Sequence, residues 1–154
     1  SQLASAIVLF ALMPLIMSSG GNSGSQASTL IIQAMAMGEV TLSDWWRVMR
    51  REFVSGSILG LILGTLGFVR IATWQLFSEY YGEHWVLIGL VISFSLVGVV
   101  LWGSVVGSML PFVLRRLGAD PASSSAPFVS TLVDVTGLII YFTFATLLLK
   151  GVLL

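Results

Sequence analysis

Cysteine is absent from the 154 residues. No disulfide and no thiolate metal site can therefore form, although the absence does not identify a compartment. Charge is scarce: Lys, Arg, Asp and Glu together make up 9% of the chain, against about 25% in an ordinary soluble domain. Seven basic residues balance seven acidic ones, which leaves no net positive field to attract a nucleic acid. The lone histidine, His84, stands beside Glu83 and reads as a surface residue rather than a ligand. There is no Ser–His–Asp arrangement, metal-hydrolase spacing or ATP-binding motif, so an enzyme is not expected. The chain begins at Ser1 with neither a basic n-region nor a small-residue cleavage site. No signal peptide is expected, and the sequence reads as part of a longer protein.

What is abundant is hydrocarbon. Hydrophobic residues are 56% of the chain and the mean hydropathy is +1.00, a membrane composition. The charges fall between long uncharged stretches at 1–38, 53–69, 85–114, 121–133 and 135–149. A spanning helix needs roughly 20 mostly apolar residues, so four spans are expected, at about 2–37, 52–77, 84–115 and 122–150. The first is too long for one straight helix, and Pro14 and the Gly20–Gly21 pair predict a break. Loops 38–52 and 115–121 hold Arg47, Arg50, Arg51, Arg115 and Arg116, while the other side has Arg70 and Lys150. That excess predicts cytoplasmic loops at 38–52 and 115–121, with both ends of this sequence outside. Thr41 to Glu52, with Trp45 and Trp46 beside three arginines, suits a helix lying at the interface. Tyr80, Tyr81 and Trp85 would mark the outer headgroup level.

Small residues recur at four-residue spacing, as Gly56, Gly60 and Gly64 in the second span and Gly103 and Gly107 in the third. Such spacing lets helix backbones approach closely, either within one subunit or along a dimer seam. Two polar features interrupt the apolar pattern. Ser18 to Thr29 consists almost wholly of Ser, Gly, Thr and amides. It is either irregular backbone lining a watery cavity, whose carbonyls and amides could hold a hydrated cation, or an ordinary loop between two shorter segments. The other is Asp134. Counted from Pro121 as the first residue of the last helix, with Asp120 as its cap, it lies roughly 20 Å along, near mid-membrane. A carboxylate there costs about 3 kcal/mol and marks an ion pathway by default. Its alternative role is to glue helices together. Pro127, Ser130, Thr131, Gly137 and Tyr141 fall on or near the same face.

The run Gly20-Gly-Asn-Ser-Gly-Ser-Gln26 is similar to the glycine-asparagine signature of the MgtE family. Pro127-Phe-Val-Ser-Thr-Leu-Val-Asp-Val-Thr-Gly137 resembles that family's last-helix signature, and Arg115-Arg-Leu-Gly-Ala-Asp-Pro121 is in the same style. The resemblance covers essentially the whole chain. It implies an all-α membrane bundle of four to five helices in residues 1–154, with an upstream helix and cytoplasmic regulatory domains lying elsewhere in the parent. It also implies a homodimer in the bacterial inner membrane, with the pore at the subunit interface. Carried over position by position, Asp134 matches the pore carboxylate, and Ser130 and Gly21 match positions that offer carbonyls to the ion's water shell. Asn22 and Thr131 lie within the same motifs. Ser25 and Ala126 stand where the family often has asparagines, which removes two amides beside the expected ion path.

Mg²⁺ gives up its waters reluctantly, so a pore for it should hold a hydrated ion by outer-shell contacts. Two Asp134 carboxylates in a dimer would balance a dipositive ion and favour it over a monovalent one. The alternative reading is a secondary transporter that exchanges the cation for H⁺ or Na⁺ at the same aspartate.

Overall fold

The computed structural model describes residues 2–123 and 126–152. These form four long helices, α1 (Gln2–Ala36), α2 (Trp45–Ser78), α3 (Trp85–Arg116) and α4 (Ala126–Leu149), with short 3₁₀ turns at Leu42–Asp44 and Pro121–Ser123. Each long helix contains a stretch apolar enough to cross a membrane. The all-helical bundle expected from the sequence is therefore present, at the lower of the expected helix counts.

The predicted break in the first span does not occur. α1 runs for 35 residues through Pro14 and through the whole glycine-serine run. In hydrocarbon an unpaired peptide group costs several kcal/mol, so staying helical is the less costly course wherever neighbours can absorb a proline. Hydroxyls find acceptors within the same helix, with Ser19 Oγ donating to the Leu15 carbonyl at 2.8 Å and Thr29 Oγ1 to the Ser25 carbonyl at 2.9 Å, so the polar run needs no exit from the helix to be satisfied. The run is thus neither irregular backbone nor a loop. Nor is there a separate interfacial helix: Thr41 and Asp44 form a capping box around the 3₁₀ turn, and the tryptophan-arginine segment is simply the first turns of α2. The last span also starts late. Asp120 Oδ1 accepts from Ala122 N at 3.0 Å, so Asp120 caps the 3₁₀ turn beginning at Pro121, not α4, which begins at Ala126. Asp134 consequently lies eight residues into its helix, about 12 Å from the start rather than 20 Å.

Two helices end in the same way. Gly38 after α1 and Gly118 after α3 take positive φ of 74° and 80°. In each case the following amide reaches back, Glu39 N to Ala34 O and Ala119 N to Leu114 O, both at 2.9 Å. This is the Schellman arrangement, which needs a residue without a Cβ penalty at that position.

α3 is the centre of the bundle and packs on α1, α2 and α4. Ile92, Leu96 and Val99 are almost fully buried there, together with Ile16 of α1, Ile71 of α2 and Tyr141 of α4. The glycines make these close approaches possible, and all within one protomer. Gly56, Gly60 and Gly64 of α2 lie on Ser104, Val97 and Ser93 of α3. A Cβ on Gly103 would fall on the Gly20 carbonyl of α1, and one on Gly107 on the Gly24 carbonyl. Of the two readings of the glycine spacing, packing inside the subunit is the one observed.

Candidate functional site

The two polar motifs meet along the seam of α1 and α4, which run antiparallel. Three contacts set the register. At one end, the Tyr141 hydroxyl, fully buried, donates to the Leu9 carbonyl at 2.8 Å. At the other, Ser25 Oγ donates to the Ala126 carbonyl at 3.1 Å. Between them Gly21 lies directly under α4: a Cβ placed on it would be 2.6 Å from Ser130 Oγ and 2.8 Å from Asp134 Oδ1. No side chain would fit there without moving the carboxylate. The neighbouring Gly20 and Gly24 face Val133 and Val129 of α4 as well as α3, so α1 is wedged between the other two helices.

Asp134 is half-buried. Among the described residues it has neither an ion pair nor a hydrogen-bond partner. Beside it the seam opens to the outside of the protomer. Asn22 is exposed, with Nδ2 donating to Ser18 Oγ at 3.3 Å. Thr131 is exposed too and donates to the Pro127 carbonyl at 2.9 Å. The polar stripe expected on α4 is therefore divided. Pro127, Ser130, Thr131 and Asp134 border the opening, whereas Gly137 and Tyr141 are buried and serve packing. Gly21 and Ser130 lie inside unbroken helices, where each carbonyl already accepts one helical bond; only its second lone pair is left for a water. Ser25 and Ala126, the two positions lacking an amide, are bonded to each other.

No group of three or more His, Asp or Glu that could cage a metal exists among the described residues. A single carboxylate ringed by hydroxyls, an amide and helix carbonyls is a poor site for a bare cation and a suitable one for the outer waters of a hydrated ion. Sequence reasoning missed the residues that orient this face. Trp102 Nε1 of α3 donates to Thr136 Oγ1 at 2.8 Å, and Thr136, two residues beyond Asp134, points about the other way around α4. Ser23 of α1 meets Ser104 of α3 at 2.6 Å between hydroxyls. No spacing within the sequence points to these pairs, since Trp102 lies 34 residues from Thr136 and Ser23 lies 81 from Ser104.

The comparisons with known proteins agree on one family. The profile of the MgtE family, described as a divalent cation transporter, matches residues 13–144. A magnesium transporter MgtE of Thermus thermophilus is 44% identical over 152 residues, 99% of this chain and 32% of the relative. Proteins of the same description from Enterococcus faecalis and Bacillus subtilis are 28% and 30% identical, over 97% and 94% of this chain and 31% and 30% of their own lengths. The chain thus spans about a third of the length of these curated relatives.

Proposed function

The chain belongs to the MgtE family of divalent cation transporters, and on that premise we propose that it is the transmembrane pore domain of a longer protein and conducts Mg²⁺ across the membrane as a homodimer. The observation that carries this reading is the open side of the α1–α4 seam, where a carboxylate without a partner among the described residues sits with exposed Asn22 and Thr131 on a mostly apolar bundle. Lipid cannot solvate such a stripe, so it must face water or protein. A second copy related by a two-fold axis would supply the same stripe opposite, because a two-fold interface is built from one patch used twice.

In that arrangement two Asp134 side chains flank one path. Their combined charge matches a dipositive ion, and the ion in turn offsets the cost of keeping both carboxylates ionised. The ion keeps most of its waters, and those waters bond to Ser130, Thr131, Asn22 and the free lone pairs of the Gly21 and Ser130 carbonyls. Ser25, tied to Ala126, shapes the wall at the α4 start. The ion moves down its electrochemical gradient. Loops 38–52 and 115–121 face the cytoplasm of a bacterium whose inner membrane holds the domain.

Asp134→Asn tests the proposal, because it keeps the shape and removes two charges per dimer. Divalent titration by calorimetry and flux into liposomes, measured on one preparation, should both collapse while the oligomer persists. Unchanged affinity and flux in this variant would leave Asp134 as helix glue and end the pore reading for it. Flux in the unmodified protein that requires an opposing H⁺ or Na⁺ gradient would replace the channel by an exchanger.

A further inference from the structure

A cavity of about 430 Å³ opens away from the α1–α4 seam, at the end of the bundle where α3 stops and α2 begins. One wall is a single face of α3. Met109, Phe112, Val113 and Arg116 follow one another at the three- and four-residue spacing that aligns side chains along a helix. This face is graded. It is apolar for its first three members and cationic at the fourth, about 10 Å further along the axis. The opposite wall comes from the turn that starts α2, where Leu42 and Trp45 are apolar and Ser43 adds an exposed hydroxyl at the rim, which shares one hydrogen bond with Thr41 Oγ1 at 2.9 Å and can make another. Trp45 is itself in edge contact with Trp46, an indole pair of the kind that settles at headgroup level.

The charges near the rim are neutralised only in part. Arg47 is engaged with Asp44 at 3.1 Å, but Arg115 and Arg116 form no ion pair among the described residues. An apolar slot with a guanidinium and a hydroxyl at its mouth has the layout of a phospholipid, with an acyl chain inside and a phosphate outside. The second arginine alongside favours a headgroup that keeps a net negative charge. We propose that this cavity binds one anionic phospholipid, its acyl chain between α2 and α3 against Met109 and Phe112, and its phosphate at Arg116 and Ser43. The site is separate from the seam that holds Asp134, so it stands whether or not that seam conducts an ion.

The test uses the membrane-embedded protein and phosphatidylglycerol carrying a photoreactive group on its acyl chain, with phosphatidylcholine of the same chain as comparison. Capture should favour phosphatidylglycerol, and the cross-linked peptides should contain Met109 to Val113 and Leu42 to Trp45. Arg116→Gln, at an exposed helix end, should lower phosphatidylglycerol capture about fivefold, with Arg116→Lys restoring most of it. Met109→Trp should fill the slot and abolish capture of both lipids there. Equal capture of the two lipids by the unmodified protein would overturn the proposal. So would cross-links that lie elsewhere, as expected if another segment of the longer protein fills the cavity. An Arg116→Gln variant that loses thermal stability but keeps its lipid preference would likewise overturn it, leaving Arg116 only to offset the α3 terminal dipole.

Discussion

Gly21 shows how little room the candidate site leaves. Its missing side chain is the space in which Ser130 Oγ and the Asp134 carboxylate sit. Gly21→Ala should therefore push the carboxylate aside without introducing any charge. The expected outcome is a loss of divalent affinity of roughly tenfold, with helix content retained in circular dichroism; calorimetric titration beside the unmodified protein checks it. An unchanged affinity would mean that the position of Asp134 is not set by α1. Asp134 stood out in the sequence, because a carboxylate in 28 residues without another charge is costly in hydrocarbon, although the sequence leaves both an ion-path role and a helix-glue role open to it. Its depth was not legible there. The depth was counted from Pro121, and a proline marks a helix start only if the helix begins there; Pro121 opens a 3₁₀ turn instead. The link between Ser25 and the Ala126 carbonyl was also out of reach, since nothing in either residue type names a partner 101 positions away.

Elements show where backbone rules written for water mislead. Pro14 and a run of glycines would end a helix in a soluble domain. Here α1 passes through both, because the penalty for an unpaired peptide in lipid exceeds the penalty for a poor helix former. The extent of the other helices was legible from charge spacing, to within a turn at most ends. α1 is held to α4 by Tyr141, whose hydroxyl reaches the Leu9 carbonyl, five residues before Pro14. Tyr141→Phe should cost about 1 kcal/mol, seen as a lower midpoint in thermal unfolding in detergent. No shift would mean that the phenol only fills space. The glycines of α3 and α4 give a second, ranked prediction. Gly107→Ala should destabilise by at least about 3 kcal/mol, since its Cβ would fall on the rigid Gly24 carbonyl. Gly137→Ala should cost under about 1 kcal/mol, since its Cβ would meet the Val99 side chain at 3.3 Å. The reverse order in unfolding midpoints would refute this account of the α1–α3 contact.

At the scale of the whole molecule, the odd-numbered helices run one way across the bundle and the even-numbered ones return, so every connection is short and each end of the bundle has its own chemistry. Arginines gather where α1 and α3 end, and Glu79, Glu83 and the tyrosine pair where α2 ends and α3 starts. Single cysteines at Ser43 and at Ser78 should accordingly react with an impermeant thiol reagent from opposite sides of sealed vesicles, Ser43 from the cytoplasmic side. Reaction of both from the same side would refute the topology. The contact of α1 with α3 has one further consequence. Where Gly103 and Gly107 meet the Gly20 and Gly24 carbonyls, backbone rests on backbone, flanked by Val99 against Gly20 and by the Ser23–Ser104 pair. Most helix pairs are separated by side chains that can be traded for others of similar bulk. At these glycines there is nothing to trade, and a slide of either helix would drive a carbonyl into its neighbour. α1 and α3 are therefore expected to move as one solid strut. A saturation library of this domain should find these four positions closed to nearly every other amino acid, and the tolerated variation gathered on the outward faces of α2 and α4.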